Sequence, residues 1–179
     1  MKTFILPLLC ISLLSFSQDK TGKKSQRIPI YGTVTETRSY CGGARPSAEM
    51  LTALATPAPA AQKVIYIKKG EVNSFNSKVL VKVTADENGN FHAKLSPGKY
   101  LIVDSTKKDT SYYNLLLKTY KSKTANYGPI DTKALKKWYL KPDAIFEVSE
   151  KETKTISVNF HVNCDGYIPC AQYRGPFKE

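Results

Sequence analysis

Any chemistry in this chain would have to start from its two histidines and four cysteines. His92 stands between Phe91 and Ala93, and His161 between Phe160 and Val162. In an alternating strand each imidazole points away from its apolar neighbours, into solvent. A serine hydrolase needs its nucleophile on a sharp elbow and its imidazole oriented by a carboxylate. No such elbow and no phosphate-cradling glycine loop occurs in the sequence. The cysteines are Cys10, Cys41, Cys164 and Cys170. His161-x-x-Cys164 followed by Cys170, with Cys41 added, supplies the four ligands a structural zinc takes, but not at the spacing of a zinc knuckle. The residues therefore predict no metal and no cofactor. A second reading keeps an enzyme of unrecognised type, using a free thiol or a metal at the Cys41/Cys164/Cys170 end.

The net charge is +12, carried by 23 Lys and 4 Arg against 15 acidic residues. Readers of phosphates and base edges favour arginine for its planar, bidentate fork. Lysine dominates here and is scattered along the chain, which describes a solvated, self-repelling surface. Nucleic acid is not the expected partner.

Lys2, the apolar run from Phe4 to Leu14, and Ser15-Phe16-Ser17 form the three parts of an export signal. Cleavage before Gln18 makes residues 1–17 the signal peptide. Leu9 ahead of Cys10 is too large for a lipidation box. No segment reaches the roughly 20 apolar residues of a membrane-spanning helix. The expected location is outside the cell or in the periplasm, where thiols oxidise. Residues 18–27 are polar, basic and without period, as a flexible leader is.

From residue 28 the chain alternates in short β-branched runs. Strands are expected at 28–38, 64–70, 78–84, 91–95 and 99–104, and in a closing pair within 144–162. Pro29 suggests an edge position for the first strand. Val79, Val81 and Val83 share one face; so do Phe91, Ala93 and Leu95. Residues 99–104 are apolar on both faces, as an interior strand is. Ser47 can cap a short helix running to Ala55, stopped by Pro57 and Pro59. The period changes in residues 105–143. Tyr112, Leu116 and Tyr120 stand four apart, and Leu135, Trp138 and Tyr139 sit at i, i+3 and i+4, so this is a partly helical insertion. Residues 163–179 form an irregular, cysteine-containing tail. Together 28–179 read as one all-β sandwich domain, Ig-like or prealbumin-like and antiparallel.

The stretch "TADENGNFHAKLSPGKYLIV", residues 84–103, carries a resemblance. With Gly32-Thr33-Val34 upstream, it resembles the carboxypeptidase regulatory-like, prealbumin-like (transthyretin-like) β-sandwich family. Thr84, Asp86, Gly89, Phe91, Leu95, Pro97, Gly98 and Tyr100 fill that family's Thr-Asp-x-x-Gly-x-Phe and Leu-x-Pro-Gly-x-Tyr pattern. Ala85 between Thr84 and Asp86 is a one-residue departure. The resemblance implies an accessory, non-catalytic module of secreted or cell-surface proteins.

Two enzyme families on similar sandwiches fit less well. Intradiol dioxygenases hold iron with two Tyr and two closely spaced His, a pair absent here. Hydroxyisourate hydrolases end in Tyr-Arg-Gly-Ser, whereas Tyr173-Arg174-Gly175 is followed by Pro176, and the first strand has no His.

Sandwiches of this family often lay their first and last strands side by side in parallel. That implies a Cys41 bridge to Cys164 or Cys170 at one end of the molecule. A local Cys164–Cys170 bridge is the rival. The loop "CGGARP" and the tail "YIPCAQYRGP" then share that end, making Arg45, Tyr167, Tyr173 and Arg174 the candidate binding surface. The expected function is a secreted, non-catalytic binding or structural module, with a glycan or a protein as its partner.

Overall fold

The computed structural model describes residues 27–150 and 155–175. The expected signal peptide, the leader up to residue 26, the 151–154 turn and Pro176 lie outside the described residues.

The first strand, β1 (Ile28–Arg38), turns Ile30, Gly32 and Val34 inward. A Cβ on Gly32 would stand 2.5 Å from the Phe91 ring and from the Ile156 carbonyl oxygen. Glycine is needed there because the ring of its register partner, Phe91 of β5 (Asn90–Leu95), fills the space. The first sheet runs β2-β1-β5, with β2 only Ala58–Pro59, and β8 (Thr155–Val162) also pairing β1. β1 and β8 are parallel, from Tyr31↔Thr155 to Arg38↔Val162, whereas β2 and β5 pair antiparallel. β1 is thus central, not an edge. Pro29 sits opposite Lys94 of β5 at the second position of β1, near a strand start, where a proline is tolerated.

The second sheet is antiparallel, in the order β4-β3-β6-β7. Its strands are β3 (Val64–Lys69), β4 (Val79–Thr84), β6 (Gly98–Val103) and β7 (Ala144–Val148). The core lies between the sheets and includes Ile30, Val34, Ile65, Ile67, Phe91 and Tyr100. Each such side chain contributes about 1.5–3 kcal/mol on burial. A bulge between Ile67 and Lys68 shifts the β3–β4 register. Val81 and Val83 therefore pack against the core, while Val79, expected on their face, is 38% exposed.

β6 is the interior strand its composition predicts. Tyr100 and Ile102 join the sandwich core, and Leu101 and Val103 are buried on the opposite face. The insertion between β6 and β7 carries α2 (Ser111–Thr119) and α3 (Thr132–Leu140), and reaches that face through the backbone at Lys107 and Tyr139. Lys68, the register partner of Leu101, is fully buried on the same face. Its Nζ donates to Asn73 Oδ1 at 2.6 Å and to the Lys107 carbonyl at 3.2 Å. Asn73 Nδ2 donates in turn to the carbonyls of Lys107 and Tyr139. One buried ammonium and one buried amide thus tie two loops and the end of a helix to β3.

α3 begins where Asp131 Oδ1 accepts from Lys133 N and Ala134 N. Leu116, Ile130 and Leu135 make a second apolar cluster, with Trp138, Ile168 and Cys170 packed against it. A further helix, α1 (Ala48–Ala55), is capped by Ser47 Oγ and has no buried residue. The whole is a β-sandwich of two sheets with few short helices.

Candidate functional site

The parallel β1–β8 register decides what meets at one end of the sandwich. Thr37 faces His161, and Ser39 N donates to the Val162 carbonyl at 2.9 Å. Two residues further along β1's path lies Cys41, and two residues beyond Val162 lies Cys164. Their sulfurs are bonded, with the Cα atoms 5.4 Å apart. Among the described residues Cys170 is left as a free thiol, half-buried, with φ at +64°. Burial, reinforced by the negative charge of Asp131, pushes that thiol's pKa up. Two of the four conceivable zinc ligands are therefore spent in a bridge. No cluster of three or more metal-ligating side chains occurs among the described residues.

On the outer face of the same strands, polar side chains form a ladder. Thr35 Oγ1 donates to Asn159 Oδ1 at 3.0 Å. His161 Nδ1 lies 3.1 Å from Thr37 Oγ1, and His161 Nε2 lies 2.8 Å from Ser39 Oγ. In-register parallel neighbours stand close enough for such pairs. Both imidazole nitrogens are engaged by hydroxyls, and among the described residues no carboxylate is bonded to the ring. His92 is exposed on β5.

Past the disulfide, the tail folds back onto residues 124–131. Gly128 N donates to the Gln172 carbonyl, Arg174 N to the Asn126 carbonyl and Asp131 N to the Cys170 carbonyl. Tyr127 and Tyr173 form a β-bridge. The Tyr127 ring packs edge-on against Tyr120 and Tyr173, each at 5.3 Å, and its hydroxyl donates to the Gly166 carbonyl. These contacts frame a cavity of about 440 Å³ lined by Ser39, Asn126, Tyr127, Asn163, Asp165 and Tyr167, among others. Tyr173 lines it too. Tyr167 is 53% exposed and Tyr173 40%.

A second cavity, of about 520 Å³, lies beside the first. Trp138 and Tyr112 line it, with Lys107, Lys141, Asp143 and His161. Lys107 Nζ sits 2.7 Å from Asp143 Oδ1 and 5.1 Å from the Trp138 ring centre. Burial raises the Asp143 pKa, and the Lys107 charge and hydrogen bond only partly oppose that. Asn163 and Tyr167 line both cavities.

Of the four residues proposed from sequence as a binding surface, Tyr167 and Tyr173 meet at the first cavity. Arg174 is exposed nearby, its guanidinium over Gly128 and donating to Gln172 Oε1 at 3.3 Å. Arg45 is exposed in its loop and lines neither cavity. Sequence reasoning pointed to the aromatic insertion around Trp138 as a partner surface but missed Asn126, Tyr127 and Asn163, and the Lys107–Asp143 pair beside Trp138. The available signal was the Tyr/Asn/Gly density of residues 120–128, but the tail's return to that segment is a long-range pairing.

No family model matches the chain, and no curated protein matches it. Among solved structures it is similar to the shaft pilin SpaA from Lactobacillus rhamnosus GG, at 10% identity and a TM-score of 0.34. The aligned part covers 77% of this chain and 50% of the pilin, so the chain spans about half the length of that protein. At that score the likeness carries no weight for function.

Proposed function

We propose that this chain is an exported, non-catalytic β-sandwich module of the prealbumin-like kind, which binds a ligand at its disulfide-closed end. The observation that carries the reading is the 440 Å³ cavity with Tyr167 and Tyr173 exposed on its wall. Cavities of this size suit ligand binding, and tyrosine supplies a large rigid contact with a polar tip. The backbone bonds between the tail and residues 124–131 favour a pre-organised wall. The Cys41–Cys164 bridge fits an oxidising compartment outside the cytoplasm.

Two features support a role without chemistry. Both ring nitrogens of His161 meet hydroxyls, and among the described residues no carboxylate is placed to orient the ring as a catalytic imidazole needs. Cys170 has a raised thiol pKa, the reverse of an activated nucleophile.

The test is retention of residues 18–179 on immobilised glycans and envelope proteins, run beside Tyr167→Ala. The variant is expected to bind at least about tenfold more weakly, as loss of an aromatic anchor does. Equal retention of the two proteins, or a Cys170 that alkylates as fast as a low-pKa thiol, would overturn the reading.

A further inference from the structure

The two cavities are lobes of one groove, because Asn163 and Tyr167 form a wall common to both. Their chemistry narrows the occupant. Among the described residues no Lys or Arg lines the first lobe, in a chain that carries 27 of them. In the second lobe Lys107 and Lys141 are balanced by Asp104 and Asp143. A strongly basic protein thus presents a groove with no excess of cations, the wrong surface for a polyanion. Neither lobe has a Leu, Ile, Val or Met among its described lining residues. A peptide anchored by branched aliphatic side chains would meet only the rings of Pro142, Phe160 and Pro169 as apolar lining beside the tyrosines and Trp138. What the groove offers is flat aromatic surface interleaved with planar amides, hydroxyls and carboxylates. Tyr167, Tyr173 and Trp138 present rings, and Asn126, Asn163 and Asp165 present donors and acceptors.

Resting on the ligand-binding reading above, we infer that the groove takes a neutral oligosaccharide chain, laid across Tyr167 so that its sugars fill both lobes. The C–H faces of the sugars pack on the rings, and their hydroxyls pair with the amides and carboxylates. The site recognises a run of sugars rather than a terminal unit, because the common wall leaves the two lobes adjoining.

The experiment is calorimetric titration of residues 18–179 with oligosaccharides of glucose, mannose, xylose and N-acetylglucosamine, each from one to six units. Heparin serves as the polyanion control, and a peptide library as the protein-like one. At least one neutral series is expected to bind, with affinity rising about tenfold or more from the dimer to the hexamer as the second lobe fills. Lys141→Met, which alters only the second lobe, should weaken the hexamer and leave the dimer unchanged. Asn126→Ala, in the first lobe, should weaken both. Thermal unfolding of each variant separates lost contacts from lost folding. Affinity independent of length, or no neutral series binding while heparin or peptides bind through Tyr167, overturns this inference and leaves the binding module standing. No Tyr167-dependent binding to any probe sinks both.

Discussion

Gly89 shows how one residue holds two elements. Its φ is +76°, and a Cβ there would stand 2.4 Å from the Val34 carbonyl oxygen, a backbone atom on the central strand. The same residue accepts from Val34 N at 2.7 Å, and Asp86 Oδ1 accepts from the amides of Asn88 and Asn90 around it. Gly89→Ala therefore adds left-handed strain to a backbone clash. It is expected to lower stability by more than about 1 kcal/mol in denaturant unfolding. Asp143 gives a pH signature at the same scale. Its pKa lies above the ordinary 3.8, so the folded chain holds this proton at pH values where the unfolded chain has released it. Over that window the folded state binds more protons, and the stability contributed by Asp143 falls as pH rises through it. Asp143→Asn should remove that slope from a stability-versus-pH series.

At the level of elements, the parallel seam between β1 and β8 governs the site. Cys41 and Cys164 are separated by 123 positions, and the bridge between them closes most of the sandwich into a loop. In the chain-entropy account such a loop is worth roughly 4–5 kcal/mol. Cys41→Ser with Cys164→Ser is expected to destabilise by about 2–5 kcal/mol in equilibrium unfolding. It should also weaken ligand binding, since Ser39, Asn163 and Asp165 all flank the bridge. An unchanged midpoint in the double variant would show the bridge to be dispensable. The strands themselves were legible because alternation is local. Phe91, Ala93 and Leu95 point inward as read, and α2 and α3 fall where the period changes. Pro29 misled because a proline near a strand's start is tolerated in a central strand as well as at an edge. Val79 misled because a bulge is a property of the pair, not of either strand.

For the molecule as a whole, the sandwich was readable and the groove was not. The "TADENGNFHAKLSPGKYLIV" pattern encodes two turns and the strands beside them, all within 20 positions. The groove draws on residues from Ser39 to Tyr173, brought together by a disulfide, a tail ladder and an insertion. Tyr167 and Tyr173 could be singled out because they neighbour cysteines. Trp138 reads as the centre of an aromatic insertion and Tyr127 as a loop aromatic, and nothing local says which cavity either will line. The burial of Lys68 was likewise hidden: its position in an apparently half-exposed strand gives no hint of the Asn73 and Lys107 acceptors waiting above it.

The sulfur bridge at the end of the parallel seam has one more consequence, and it is mechanical. A pull applied to both ends of the chain travels along β1 to Cys41, crosses to Cys164 and leaves through the tail, without passing through the 122 residues between. Those residues cannot be drawn out while the sulfurs stay joined, so load on the ends falls on β1, which lies ahead of Cys41, and on the tail beyond Cys164. Reduction would extend that load to the strands between them.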